Sequence, residues 1–437
     1  MPKLVSLITI VSICLLINAC SFNGQYRTQL IPCTITPDTS CGSAAIQYEN
    51  NGQSEYHLGF IEFDDQGQLR QRQQMEAVLD YFYNLASRED VILTVFVHGW
   101  HHDAEVTDTN VLEFQRLLRQ LSIAEIRGSE QDKRAKRKIL GVYLGWRGDS
   151  IEIPFVNNLT FWDRKSTAQE VGLQGVTEAL VRLEQIVNIK VIQEDVPKSE
   201  NSRMVVVGHS FGGAVVYSAI QQLLVDRYYF SRDNAVFSAE GFGDLTLLIN
   251  PAFEALRYST LYDIGQQQCR RYFSDQLPRL VVLTSEADLA TRYAFPAGRI
   301  FSTFTEKHDK LDRIQCTKSG EKPLQVKESQ ADLYTVGHFE PYWTHKLAPA
   351  ETKTRGLDFN YRALGTRWSQ QDFGDEVRFE QSTLTHLGRT HPLNPFLNVR
   401  VDGKLIGGHN DIWGEEIISF VRDLIVISTT PVASSGK

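Results

Sequence analysis

Four groups of side chains in this chain have the types and settings to do chemistry. The first is Ser210, inside Gly208-His209-Ser210-Phe211-Gly212, a G-x-S-x-G pattern. Met204-Val205-Val206-Val207 run straight into Gly208 as a buried strand would, and Val216, Ala219, Ile220, Leu223 and Leu224 then recur at helical spacing. A serine between such a strand and helix sits on a turn too sharp for bulky neighbours, so small flanking residues are needed. The turn lifts the hydroxyl clear of the strand, and the new helix aims its first amides at whatever reacts there. A serine hydroxyl attacks weakly until a base removes its proton. The other groups are His98-Gly99-Trp100, Asp288 in Ser285-Glu286-Ala287-Asp288, and His409 in Gly407-Gly408-His409-Asn410-Asp411.

Each group follows an expected strand. Leu58 to Phe63 reads as a first strand, and Val91 to Val97 as an apolar one ending at His98. Ile139 to Leu144, Val205 to Val207, Leu245 to Ile249 and Leu280 to Thr284 follow. Between them lie helical patterns: Met75, Val78, Leu79, Phe82, Leu85; then Val111, Phe114, Leu117, Leu118, Leu121; and a helix from about Ala168 to Val187. Leu397 to Ile406 reads as a hairpin turning at Asp402-Gly403, and Ile417, Val421, Leu424 and Ile425 mark a last helix. Strands alternating with helices imply an α/β fold, a mostly parallel sheet with helices on both faces. Such sheets gather active groups at the carboxyl ends of their strands, where all four candidates are expected. From about Arg299 to Asn394 the periodicity fades, which reads as an insertion before the last strand, a cap or specificity region.

The pattern around Ser210, with its strand and helix, resembles the nucleophile elbow of the α/β-hydrolase superfamily. The resemblance covers about Val91 to Asp288 and Leu397 to Val426, and is nearest to the lipase and esterase branches, notably exported bacterial lipoproteins carrying a hydrolase domain. The order Ser210, Asp288, His409 matches that family's order of nucleophile, acid and base. By this resemblance His409 is the base, with His386 and His391 as runners-up, and Asp288 the acid, with Glu286 as competitor. The oxyanion donors would be the backbone N–H of Phe211 and that of Trp100, since His98-Gly99-Trp100 resembles the His-Gly oxyanion turn of lipases. The implied activity is a serine hydrolase cleaving carboxylic esters through an acyl-enzyme, with no cofactor. Acyl transferase, thioesterase and peptidase chemistry share the same triad. A non-catalytic envelope binding protein on a hydrolase scaffold is the reading from another class. His98, His101, His102 and Asp103 form a tempting zinc cluster, but the turn accounts for His98 without a metal, and no metal is expected.

The 437 residues are 42% hydrophobic and 22% charged, with a formal charge of -8. That composition suits a globular protein with a sizeable core, and the acidic balance argues against nucleic acid as partner. Lys3 precedes an apolar run from Leu4 to Ile17 that reads as an export signal over residues 1–19. It ends Leu16-Ile17-Asn18-Ala19-Cys20, which resembles the lipobox of bacterial lipoproteins and implies acylation of Cys20, with residues 20–51 as a tether to the bilayer. Ser21 after the cysteine resembles the outer-membrane sorting pattern. Four cysteines then remain, Cys33, Cys41, Cys269 and Cys316, an even number suited to an oxidising compartment. Three pairings are open, and Cys33 with Cys41 and Cys269 with Cys316 is the simplest. The expected hydrolase domain runs over residues 52–427, with a disordered tail at 428–437.

Overall fold

The computed structural model describes residues 24–39, 41–64, 66–146, 168, 171–189, 201–231, 236–303, 306–352 and 360–429. The expected export signal, Cys20 and residues 430–437 of the expected tail lie outside them, while Ser428 and Thr429, expected to begin a disordered tail, close a helix over Glu415–Thr429. In chain order the strands are β1 (Cys33–Thr34), β2 (Ile46–Asn50), β3 (Glu55–Glu62), β4 (Val91–Val97), β5 (Lys138–Gly145), β6 (Arg203–His209), β7 (Val236–Phe237) and β8 (Leu245–Ile249). They continue as β9 (Arg271–Tyr272), β10 (Leu280–Ser285), β11 (Lys310–Thr317), β12 (Gly320–Lys327), β13 (His345–Pro349), β14 (Glu376–Arg378), β15 (Ser382–His386) and β16 (Phe396–Val401). The helices that matter here are α1 (Arg72–Ala86), α2 (Thr109–Asp132), α3 (Gly175–Val187), α4 (Phe211–Phe230), α5 (Ala255–Gln266), α6 (Phe295–Thr303), α7 (Glu328–Leu333), α8 (Tyr361–Ser369) and α9 (Glu415–Thr429).

Among the described residues one sheet of 12 strands dominates, in the order β1-β2-β3-β5-β4-β6-β8-β10-β16-β13-β15-β14. From β3 to β13 every neighbouring pair is parallel. Antiparallel pairs occur towards the edges, β2 with β3 and β13-β15-β14. Every residue of β4, β8 and β10 is buried, so both faces of the central strands are covered. The helices pack in two groups, α2 with α9 and α8, and α1 with α3, α4 and α5. The long apolar runs Val91–Val97 and Leu245–Ile249 are therefore two-sided core strands, which is why their bounds coincide with those read from sequence.

Three stretches differ from the sequence reading. Residues expected to form a tether include β2, which pairs with β3 from Ile46↔Gly59 to Asn50↔Glu55. It is five residues long and its burial does not alternate, with Ile46, Gln47 and Glu49 buried, Tyr48 half-buried and Asn50 exposed, so it carries no period-two signal. The insertion does not stand apart as a cap throughout: β13, β14 and β15 extend the main sheet beyond β16, while β11 and β12 form a separate hairpin. The expected hairpin over Leu397 to Ile406 is one strand followed by a turn, with Leu405 N bonded to Asp402 O at 2.9 Å. The reason lies in the sheet. β16 already has parallel partners on both sides, β10 and β13, so no free ladder is left for a returning strand. The helix expected from about Ala168 is present at Ala168 and over 171–173, turns at Gln174 and continues as α3 from Gly175. Cys33 is bonded to Cys41 and Cys269 to Cys316, the latter fastening β11 to the segment after α5.

Candidate active site

Ser210 links β6 to α4 with φ 55° and ψ -121°, a left-handed backbone that a residue with a side chain adopts only under strain. The glycines beside it are demanded by space. A Cβ on Gly212 would lie 2.2 Å from the carbonyl oxygen of Val97, and one on Gly208 would lie 2.8 Å from that of Gly212. The turn is held from below: Ser210 N donates to Ile249 O at 3.0 Å, and Ser210 O accepts from Ala252 N at 3.0 Å. A serine at a helix start normally caps the helix with its own hydroxyl. Here the side chain makes no cap bond, and Ser210 Oγ lies 2.7 Å from His409 Nε2 instead.

His409 Nδ1 lies 2.9 Å from Asp288 Oδ2. Since the carboxylate accepts, Nδ1 carries the hydrogen and Nε2 is left to accept from the serine hydroxyl. Asp288 is fully buried. Burial pushes its carboxyl up, but hydrogen bonds from His409 and Thr291 more than offset this and hold it below the usual aspartate range. Its Oδ1 accepts from Ala290 N at 3.0 Å and Thr291 N at 3.1 Å, and the Thr291 hydroxyl donates to Oδ2. The three side chains arrive from the carboxyl ends of β6, β10 and β16, strands that lie within one parallel stretch of the sheet.

The other candidates fall into place around this chain of bonds. Glu286 turns away: its Oε2 pairs with an Arg400 nitrogen at 2.6 Å. His386 accepts from Gly374 N and Gly388 N, and His391 from Leu393 N, so both rings are engaged in the added strands and their turns. Phe211 opens α4 directly after Ser210, and a Cβ on Gly99 would lie 2.9 Å from Ser210 Cβ, so the His98-Gly99-Trp100 turn abuts Ser210. The rings of Trp100 and Phe211 meet edge to face, centroids 6.3 Å apart. Both residues named as oxyanion donors thus flank the serine.

His98 is structural in its bonding. Its Nδ1 donates to Gly99 O at 2.8 Å and its Nε2 accepts from Trp146 N at 3.0 Å, leaving no nitrogen for a metal. His102 Nδ1 faces Asp108 at 3.1 Å. Among the described residues the one group with metal-ligand geometry is Glu306, His308 and Asp332, and Asp332 is already paired with Arg299.

Sequence reading did not find the residues that hold His409 in place. The carbonyl of His409 receives two bonds, from Asn250 Nδ2 at 2.9 Å and His209 Nε2 at 3.0 Å. Asn250 Oδ1 accepts from Ser285 N at 2.9 Å, tying the ends of β8 and β10 to the glycine-rich loop. A polar residue at the end of β8 and a histidine inside the G-x-S-x-G pattern were the available signals. Replacing Asn250 with alanine frees that loop on one side. The expected result is a fall in kcat of about tenfold, the worth of one lost buried hydrogen bond, with little change in KM. Steady-state kinetics of Asn250→Ala on a simple ester checks it.

Several histidines here are held neutral. Burial pushes His209 down to about 3 and His98 and His338 down to about 4. The unfolded chain takes up these protons near the ordinary histidine value of 6.5, whereas the folded protein resists them until far lower pH. The unfolded state then binds more protons, so stability is full above about pH 6.5 and is lost as pH falls towards 4. The urea midpoint should be lower at about pH 5 than at about pH 7.5. A flat midpoint would contradict neutral burial of these rings.

Comparison with protein families, with curated proteins and with solved structures returned no match, so the functional reading rests on this geometry.

Proposed function

We propose that the chain is a serine hydrolase on an α/β-hydrolase fold that cleaves carboxylic esters through an acyl-enzyme at Ser210. The observation that carries this is the continuous chain Ser210 Oγ to His409 Nε2 at 2.7 Å and His409 Nδ1 to Asp288 Oδ2 at 2.9 Å, on a serine with φ 55°. The strand-to-helix turn, the chain order and the buried acid support the same reading.

In this reading His409 Nε2 takes the Ser210 proton as Oγ bonds to the substrate carbonyl carbon. The carbonyl oxygen becomes an oxyanion, stabilised by the N–H of Phe211, that of Trp100 and the start of α4. Asp288 keeps the Nδ1–H tautomer and stabilises the imidazolium. As the tetrahedral intermediate collapses, the carbon–oxygen bond to the leaving alcohol breaks, and His409 returns its proton to that alcohol. Water, deprotonated by His409, then attacks the acyl-enzyme, and the acid leaves with Ser210 Oγ reprotonated. No metal or organic cofactor is required. Purified protein should hydrolyse p-nitrophenyl esters and lose that activity when treated with a fluorophosphonate. Failure to turn over any member of an ester chain-length panel would contradict the proposal.

We further infer an exported lipoprotein, tethered to the cell envelope through Cys20 and facing a bilayer. The support is Leu16-Ile17-Asn18-Ala19-Cys20 after an apolar run, and two disulfides that suit an oxidising compartment. Among the described residues no helix is long and apolar enough to cross a membrane. Cys20→Ser should move the protein from the membrane pellet to the soluble fraction. Continued sedimentation with membranes would contradict the anchor.

A further inference from the structure

The acid has a second layer behind it. The Thr291 hydroxyl donates to Asp288 Oδ2, the oxygen that also receives His409 Nδ1. Having spent its hydrogen, that hydroxyl can only accept from His338, whose Nε2 lies 3.1 Å from it. The ring thus fixes the direction of the threonine hydroxyl, and the hydroxyl fixes the carboxylate that orients the base.

On its other side His338 borders an open cavity of about 530 Å³ between β10, β16, α6 and the segment after α7. Pro296, Ile300 and Leu333 give it an aliphatic wall, and Tyr293 and Trp343 an aromatic one. Two arginines stand at it. Arg400 is matched, paired with Glu286 at 2.6 Å and lying over the Trp343 ring at 5.0 Å. Arg292 donates to the Glu286 carbonyl at 3.1 Å and lies over Tyr293, and among the described residues no carboxylate pairs with it. Tyr293 and Ile300 are 60% and 51% exposed, apolar surface that a ligand would cover. Apolar and aromatic walls with one unmatched cation suit a small ligand carrying a hydrocarbon body and a negative head. Among such ligands a carboxylate is the chemistry that the proposed reaction itself releases.

We propose that this cavity binds a small amphipathic carboxylate, and that its occupancy reaches the triad through His338 and Thr291. The first half stands on the cavity alone; the second rests on the hydrolase reading. A ligand can shift the triad only if it favours a His338 position other than the one bonded to Thr291, so the coupling is read as a change in kcat, reciprocal with binding only in its thermodynamic part.

Octanoate is the probe. Calorimetry on Ser210→Ala protein removes turnover from the binding measurement. Saturable binding is expected, weakened about tenfold when Arg292→Gln is added. With wild type, octanoate should alter kcat at saturating ester. That response should vanish in His338→Ala while calorimetric binding persists, and should survive in His338→Gln, which keeps an N–H donor. No saturable binding, binding indifferent to Arg292→Gln, or an effect on KM alone would overturn the proposal, the last placing octanoate in the catalytic cleft. If wild type hydrolyses no ester, the hydrolase reading falls, and calorimetry still decides the cavity.

Discussion

Replacing His409 with alanine should lower turnover of a p-nitrophenyl ester by several powers of ten, and replacing Ser210 with alanine should do the same. The loss is large because the two atoms would act as one unit: the 2.7 Å bond joins the imidazole proposed to take the proton to the hydroxyl proposed to lose it. Either single change removes the whole step, so the double variant should be no slower than the singles. About a thousandfold acceleration over water should remain in each, contributed by binding and the oxyanion donors. KM should change little, because neither side chain holds the ground-state substrate. If His409→Ala turns over near the normal rate, some other base serves Ser210. His386 and His391 are poorly placed for that, since both are committed to backbone amides elsewhere.

Asp288→Asn should cost about four powers of ten in kcat while leaving the fold intact. The exchange is nearly isosteric, and an amide oxygen can still accept from Ala290 N and Thr291 N, which bond Oδ1 at 3.0 and 3.1 Å. At the Oδ2 position an amide nitrogen would face both His409 Nδ1 and the Thr291 hydroxyl. A donor there favours the tautomer with hydrogen on Nε2, which cannot accept from serine. The alternative is a flipped amide that satisfies His409 and leaves an N–H among the amide donors of residues 290 and 291, an unmade buried bond costing about 1–3 kcal/mol. Glu286→Gln is the control. Its carboxylate pairs with Arg400 and not with His409, so the change should leave kcat within a few-fold of wild type. Equal damage from both variants would contradict the assignment of the acid.

The centre of the candidate site was legible in the sequence because its signals are local. Gly208 to Gly212 spells a turn within five residues, and β4 and β8 are apolar on both faces, so neither needed knowledge of a neighbour. Asp288 and His409 were legible as loop residues after strands, though the contact between them spans 121 positions. What escaped depends on partners that a linear pattern does not contain. Asn250 looks like an ordinary turn residue until its amide meets the carbonyl of a loop 159 residues away. Thr291 and His338 matter only because the helix after β10 and the segment after α7 fold against each other. The turn after β16 could be read as a hairpin because alternation does not reveal that both edges of a strand are taken. The strands between 345 and 386 lie towards one end of the sheet, where exposed or half-buried residues such as Lys346, Thr383 and Thr385 interrupt the apolar runs.

The most direct measurement is covalent. Folded wild-type protein, treated with a fluorophosphonate probe, digested and examined by mass spectrometry, should carry the phosphonyl adduct on the peptide containing Ser210. Labelling should be abolished in Ser210→Ala and strongly slowed in His409→Ala. Folded wild type that stays unlabelled, or that carries the adduct at a different residue, would contradict an activated nucleophile at this turn.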